Sequence, residues 1–171
     1  MATTSDILTA SAGNWKLLPD RSTVTFRNKT LWGLATVTGR FTEFTGEGSA
    51  GAGVSGRVVI AAASVQTGIG KRDNHLRSAD FFDVEAHPDI TVQVTGLEPS
   101  DDSVRLTTVL TVRGVSKPVE LPVDVAALDD GAVRLSGRCE VQRDDFGVSG
   151  DLLGMVGPTT VLSGELVFTR V

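Results

Sequence analysis

The residues able to do chemistry crowd into one stretch, Lys71-Arg72-Asp73-Asn74-His75-Leu76-Arg77-Ser78-Ala79-Asp80-Phe81-Phe82-Asp83. His75 lies close in sequence to Asp73 and Asp80, and a carboxylate beside an imidazole can orient a general base. Lys71, Arg72, His75 and Arg77 together could receive an anionic head group, since guanidinium forks and helix N-termini suit phosphate. Each has a plainer reading beside it. No Ser or Cys is paired with His75 as a nucleophile, and Ser78 suits a local helix cap. Asp73, Asp80 and Asp83 balance the cations, as on a solvated helix face. Asp144 and Asp145 precede Phe146-Gly147 and read as turn formers rather than as an acid pair. No catalytic residue is assigned.

Metal and phosphate chemistry find less support. One cysteine and two distant histidines do not assemble a zinc site, so neither metal nor cofactor is expected. Cys139, between Arg138 and Glu140 in an alternating run, reads as a buried small apolar residue. Gly46, Gly48, Gly51, Gly53 and Gly56 lack a following helix and a Lys-Ser or Lys-Thr pair. They read as a Gly-rich connection rather than a phosphate cradle.

The elements around the polar stretch alternate with the period of β-strands. Inward candidates are Val24 and Phe26, then Ala35, Val37, Gly39 and Phe41, then Val58, Ile60 and Ala62. After the insert and Pro88 come Ile90, Val92 and Val94, and then Val104, Leu106, Thr108, Leu110 and Val112. Three more runs follow, at Val119–Val125, at Val133–Val141 after the Asp129-Asp130-Gly131 turn, and at Thr160–Phe168 after a loop around Asp144 to Pro158. Within the insert, Leu76, Ala79 and Phe82 recur every third position, which predicts about three helical turns with one apolar side.

About eight long strands with one apolar face each predict an all-β fold. Closure into an eight-stranded antiparallel barrel, with one short helical insert between strands 3 and 4, removes the exposed edges. The inner face is valine-rich and modest in volume, so an elongated apolar cavity is expected. Pro122 predicts a bulge or gap in the wall. Residues 1–13 are expected as a flexible N-terminal tail and 14–171 as one domain.

Composition sets further bounds. The chain has 171 residues, 40 % of them apolar, and a net charge of −5. That balance excludes a nucleic-acid partner, which would call for a basic face. No run is long enough to cross a bilayer as a helix, so no stable membrane insertion is expected. Met1 to Gly13 has no signal-peptide pattern, which gives the expectation of a cytoplasmic protein, or a periplasmic or secreted one if a leader was removed. Val109, Val161 and Val167 are outward apolar candidates for a homodimer contact.

The segment Lys71 to Val84, with His87-Pro88-Asp89-Ile90-Thr91, closely resembles the signature of the YceI-like family. Asp20–Phe26 with Val37–Phe41, Leu110–Val119 and Arg143–Val148 agree in order, so the resemblance spans nearly everything from Trp15 onward. Departures are His87, where an aromatic residue is usual, and Arg21, where His is common. The resemblance implies a lipocalin-like barrel, without catalytic activity, that carries or sequesters a long isoprenoid or other amphiphilic lipid. Apolar lining would come from Phe26, Trp32, Phe41, Leu76, Phe81, Phe82, Val92, Leu106, Leu110 and Phe146, and head-group contacts from Lys71, Arg72, His75 and Arg77. Burying ~40 carbons at about 0.8 kcal/mol each gives ~32 kcal/mol gross, above the practical affinity ceiling of about 18–21 kcal/mol. Selectivity would therefore rest on cavity length and head-group contacts. The alternatives are a lipid-modifying hydrolase or isomerase using His75 and a nearby Asp, and a structural or interaction barrel filled with side chains.

Overall fold

Alternating side chains become strands only where a neighbour completes the hydrogen-bond ladder, and here the ladders close on themselves. The computed structural model describes residues 3–100, 103–151 and 154–171. Met1 and Ala2 of the expected tail, and positions 152 and 153 of the expected loop, lie outside the described residues.

The described residues form eleven strands of one antiparallel sheet: β1 Gly13–Leu17, β2 Thr23–Thr30, β3 Ala35–Phe41, β4 Phe44–Ala50, β5 Val54–Ala61, β6 Val65–Gln66, β7 Asp89–Pro99, β8 Val104–Val112, β9 Val115–Ala127, β10 Val133–Gln142 and β11 Thr159–Arg170. β11 pairs with β2 through Thr160–Glu165 and with β1 through Phe168–Arg170. β1 and β2 are thus one stave, bent at Pro19–Arg21. The bend is held where Leu18 N–H donates to the Val167 carbonyl and Val167 N–H donates to Ser22 Oγ. β3 and β4 form the next stave, broken at Thr42 and Glu43, whose N–H groups both donate to Ser64 Oγ. Counted this way, eight staves close into an antiparallel barrel, as the alternation predicts.

Three details differ from the sequence reading. Gly46 to Gly56, expected as a connection, contains most of β4 and the start of β5, in register from Phe44↔Ile60 to Ala50↔Val54. Glycine depresses strand propensity, but pairing on both sides overrides it. The small residue also avoids crowding, because a Cβ at Gly46 would stand 3.1 Å from the Leu17 side chain, which would have to give way. The expected tail is helical over α1, Thr4–Ala10, capped reciprocally by Thr3 and Asp6. Ile7 of α1 is buried, and Leu8 packs on Val104, Leu106 and Val123, covering one end of the barrel. Val167, expected on the outer face, is buried beneath the Leu18–Ser22 bend.

The gap expected at Pro122 is present. β9 pairs with β8 along its whole N-terminal part, but with β10 only from Val123↔Gly137 to Ala127↔Val133. Pro118 and Pro122, an even number of residues apart, lack the N–H groups that would continue that ladder. The wall is therefore split between the first half of β9 and Arg138–Gln142. Arg21, one of the departures from the family pattern, hydrogen-bonds Asp130 at 2.6 Å and holds that carboxyl below the usual carboxylate range. Among the described residues no helix is long and apolar enough to cross a membrane.

Candidate functional site

Up-and-down order places the connections alternately at the two ends. One end collects the β2–β3 tip, the long insert between β6 and β7, the β8–β9 turn and the β10–β11 connection. Between these and the α1 end lies a cavity of about 510 Å³, within the range of small-molecule sites. Its walls are the inward faces of the staves, including Val92 and Val94 from β7, Leu106 and Leu110 from β8, and Leu162, Leu166 and Phe168 from β11. Thr108, fully buried among them, donates from Oγ1 to the Val119 carbonyl at 2.6 Å. Its hydroxyl is thus satisfied and the wall stays effectively apolar.

The insert supplies a lid. Its helix, α2, runs only from Gly70 to Arg77, which is two turns rather than the three the spacing predicts. Ser78 Oγ donates to the His75 carbonyl, and Asp83 takes a left-handed conformation (φ 49°), so the chain coils from Ser78 onward. Leu76, Phe81 and Phe82 all line the cavity, but Ala79 is exposed. The Leu76–Ala79–Phe82 stripe is therefore not one helix face. Phe82 meets Phe41 edge-on at 5.9 Å between ring centroids, and Phe41 meets Phe26 at 5.6 Å.

Polar groups lock the lid. Buried Asp73 accepts from Thr67 N–H at 2.9 Å and from the Thr67 hydroxyl. Arg72 donates from Nε to Thr67 Oγ1 at 2.7 Å and from Nη2 to the Thr67 carbonyl at 2.8 Å. Arg77 donates to the carbonyls of Ala63 (2.8 Å) and Val65 (3.0 Å). From the β8–β9 turn, Arg113 donates to the carbonyls of Phe81 (2.9 Å) and Gly147 (3.1 Å), joining the lid to the β10–β11 connection. The two pass so closely at Gly150 that a Cβ there would overlap the Asp80 carbonyl.

Nine of the ten apolar candidates line the cavity: Phe26, Phe41, Leu76, Phe81, Phe82, Val92, Leu106, Leu110 and Phe146. Trp32 does not. It stands at the β2–β3 tip in a left-handed conformation (φ 54°) that turns it outward, 65 % exposed. Of the head-group candidates, Arg72 and His75 reach the cavity lining. Lys71 is exposed, and Arg77 is engaged with the carbonyls beneath the helix. His75 Nε2 lies 2.9 Å from Asp80 Oδ2, with both side chains more than half exposed, and its ring meets Phe81 edge-on. Among the described residues no serine, threonine or cysteine side chain is recorded in hydrogen-bond contact with that imidazole.

Two residues carry more than their sequence context signalled. Cys139 does sit on the inner face, but it borders the cavity, and burial pushes its thiol pKa up. Arg143, beside the turn-forming Asp144 and Asp145, is 8 % exposed and lines the cavity. It donates to four backbone carbonyls: Val148, Gly150 and Gly157 at 2.8 Å, and Val156 at 3.1 Å. Its one sequence signal was its place at the head of the Arg143–Val148 segment.

Comparison with known proteins agrees with this architecture. The family model for the YceI-like domain matches residues 15–168. A UPF0312 protein of Pseudomonas aeruginosa is 36 % identical over 101 residues, which is 56 % of this chain and 53 % of that protein. The aligned part thus spans about half the length of the curated relatives it matches. Burkholderia cenocepacia BcnA superposes with a TM-score of 0.81 at 21 % identity, covering 88 % of this chain and 98 % of its own. A polyisoprenoid binding domain from Saccharophagus degradans, implicated in plant cell wall breakdown, gives 0.79 at 17 % identity, covering 92 % and 98 %. At these identities the two structures speak to the fold.

Proposed function

The chain belongs to the YceI-like domain family, and on that premise we propose that the barrel binds a long isoprenoid or other amphiphilic lipid and carries or sequesters it without chemical change. The observation that carries this reading is the cavity of about 510 Å³ with its almost wholly apolar wall. Such a wall gains from every methylene it covers and offers a polar ligand nothing to replace water. The polyisoprenoid binding domain of Saccharophagus degradans, built on the same fold, supports the choice of ligand class. Arg72 and His75 at the mouth would meet the polar end of the lipid, and the apolar tail would lie between β7 and β11.

A hydrolase or isomerase reading draws on the 2.9 Å His75–Asp80 contact. That pair is exposed, and among the described residues no serine, threonine or cysteine side chain hydrogen-bonds the imidazole, so His75→Ala is expected to leave a bound lipid's chemistry unaltered. A barrel packed solid with side chains does not accord with the open interior.

Phe82→Asp replaces a ring packed edge-on against Phe41 beneath the lid with a charge against an apolar wall. It is expected to weaken retention of a polyprenyl lipid about tenfold or more, whereas Asp144→Ala, on the exposed turn, changes it little. Equilibrium binding of a fluorescent polyprenyl analogue compares the two, and equal affinities would remove the lid from the account. Cys139 supplies an independent reading of occupancy. Because burial raises its pKa, its thiolate fraction at pH 8 is below that of a free thiol, and alkylation is slow. Added lipid should slow it further; unchanged labelling kinetics at saturating lipid would place the ligand outside the barrel.

A further inference from the structure

We propose that the β2–β3 tip is a docking element for the surface of an anionic lipid bilayer, set beside the cavity mouth. Five large apolar side chains stand exposed among the described residues: Leu31 (44 %), Trp32 (65 %), Leu34 (87 %), Ile69 (53 %) and Val171. All but Val171 belong to connections at the mouth end, three of them on one tip and the fourth just ahead of α2. Exposed leucines are unremarkable singly, but a cluster confined to one end marks an interaction surface.

The backbone presents this cluster at a conformational cost. Leu31, Trp32 and Gly33 are successive left-handed residues, with φ of 51°, 54° and 90°. Leucine and tryptophan rarely adopt that conformation, which here belongs to the tight turn closed by the Leu34 N–H on the Leu31 carbonyl. Its effect is to turn the apolar side chains away from the barrel.

Charge selects the occupant. The hairpin from Thr23 to Phe41 carries exposed Arg27, Lys29 and Arg40 and no acidic residue, in a chain whose net charge is −5. Glu140, across the neighbouring strand from Val161 and so from Arg27, is the nearest carboxylate along that paired row. An apolar tip with cationic arms fits an interface of acyl chains beneath anionic head groups, with a tryptophan at head-group depth. The tip is also coupled to the site. Lys29 and Thr30 line the cavity, and Trp32 N–H donates to the carbonyl of Met155, another lining residue, at 3.3 Å. A protein seated on a bilayer through this tip would hold its cavity mouth against the membrane.

This goes beyond cavity occupancy, because vesicle binding can fail while the cavity still fills, and the reverse. The test is co-sedimentation of the full chain with vesicles of phosphatidylcholine and phosphatidylglycerol. The wild type is expected to sediment with them, and its Trp32 emission, taken as the difference from Trp32→Phe, to shift blue and be quenched by brominated lipid. Leu31→Ser/Leu34→Ser, at exposed positions that leave the core intact, is expected to bind about tenfold more weakly. Arg27→Glu/Lys29→Glu should lose the preference for anionic vesicles. The inference is overturned if the wild type stays in the supernatant or if the serine variant binds equally. It is also overturned if the wild type is a dimer that the serine variant dissociates while neither binds vesicles, for then the tip meets a second copy of the chain.

Discussion

Arg143→Met is expected to lower the thermal midpoint by roughly 6–20 °C, from about 3–5 kcal/mol of lost stability at roughly 2–4 °C per kcal/mol. The guanidinium bonds four carbonyls that converge on it from the β10–β11 connection. Methionine fills similar space but donates nothing, so those acceptors must find water or stay unsatisfied. The connection also carries Phe146 and Val148 into the core and meets the lid at Gly150, so its loosening should open the mouth as well. Arg143→Lys keeps the charge but not the planar fork, and three ammonium donors cannot span four carbonyls. It should recover only part of the loss. Thermal unfolding followed by circular dichroism reads both variants, and a shift under about 2 °C for the Met variant would show that the connection is held by other means.

The second large effect concerns the cavity itself. β7 and β11 stand opposite one another in the ring of eight staves, four positions apart. Val92→Trp/Leu162→Trp therefore fills the interior from both sides at once. Indoles entering existing space should cost less than about 1–3 kcal/mol of overpacking, while a long acyl or isoprenoid chain loses its path. Retention of such a lipid is expected to fall about a hundredfold or more, as nearly three kcal/mol of tail burial, or some four methylenes, would give.

The sequence made the eight-stave barrel legible, because a period of two survives in almost every stave; Val104 to Val112 alternates in burial throughout, even at Thr108 and Val109 where hydropathy breaks the alternation. What it hid was set by tertiary contacts. The glycines of β4 signal a loop in isolation and become a strand only because β1 and β5 flank them. The helix of the insert stops at Ser78 through a local hydroxyl bond that the three-residue spacing does not encode. Trp32 is expected in the apolar lining by type, and two left-handed residues turn it outward. Of the site, the strand-borne lining of Phe26, Phe41, Val92, Leu106 and Leu110 could be read because strand parity fixes which way each side chain points, whereas Phe81, Phe82 and Phe146 lie off the strands. The work of Arg143 and Arg77 could not, since both spend their donors on backbone carbonyls distant from them in sequence or hidden beneath the helix.

The claim on which the rest depends is that the barrel holds a lipid. Native mass spectrometry of the chain purified without detergent, before and after incubation with polyprenyl lipids of several lengths, tests it most directly. The wild type is expected to carry a bound lipid, or to take up added polyprenyl lipid, and Val92→Trp/Leu162→Trp to do neither. A wild type that is lipid-free and takes up nothing would contradict it, as would a plugged barrel that takes up as much as the open one.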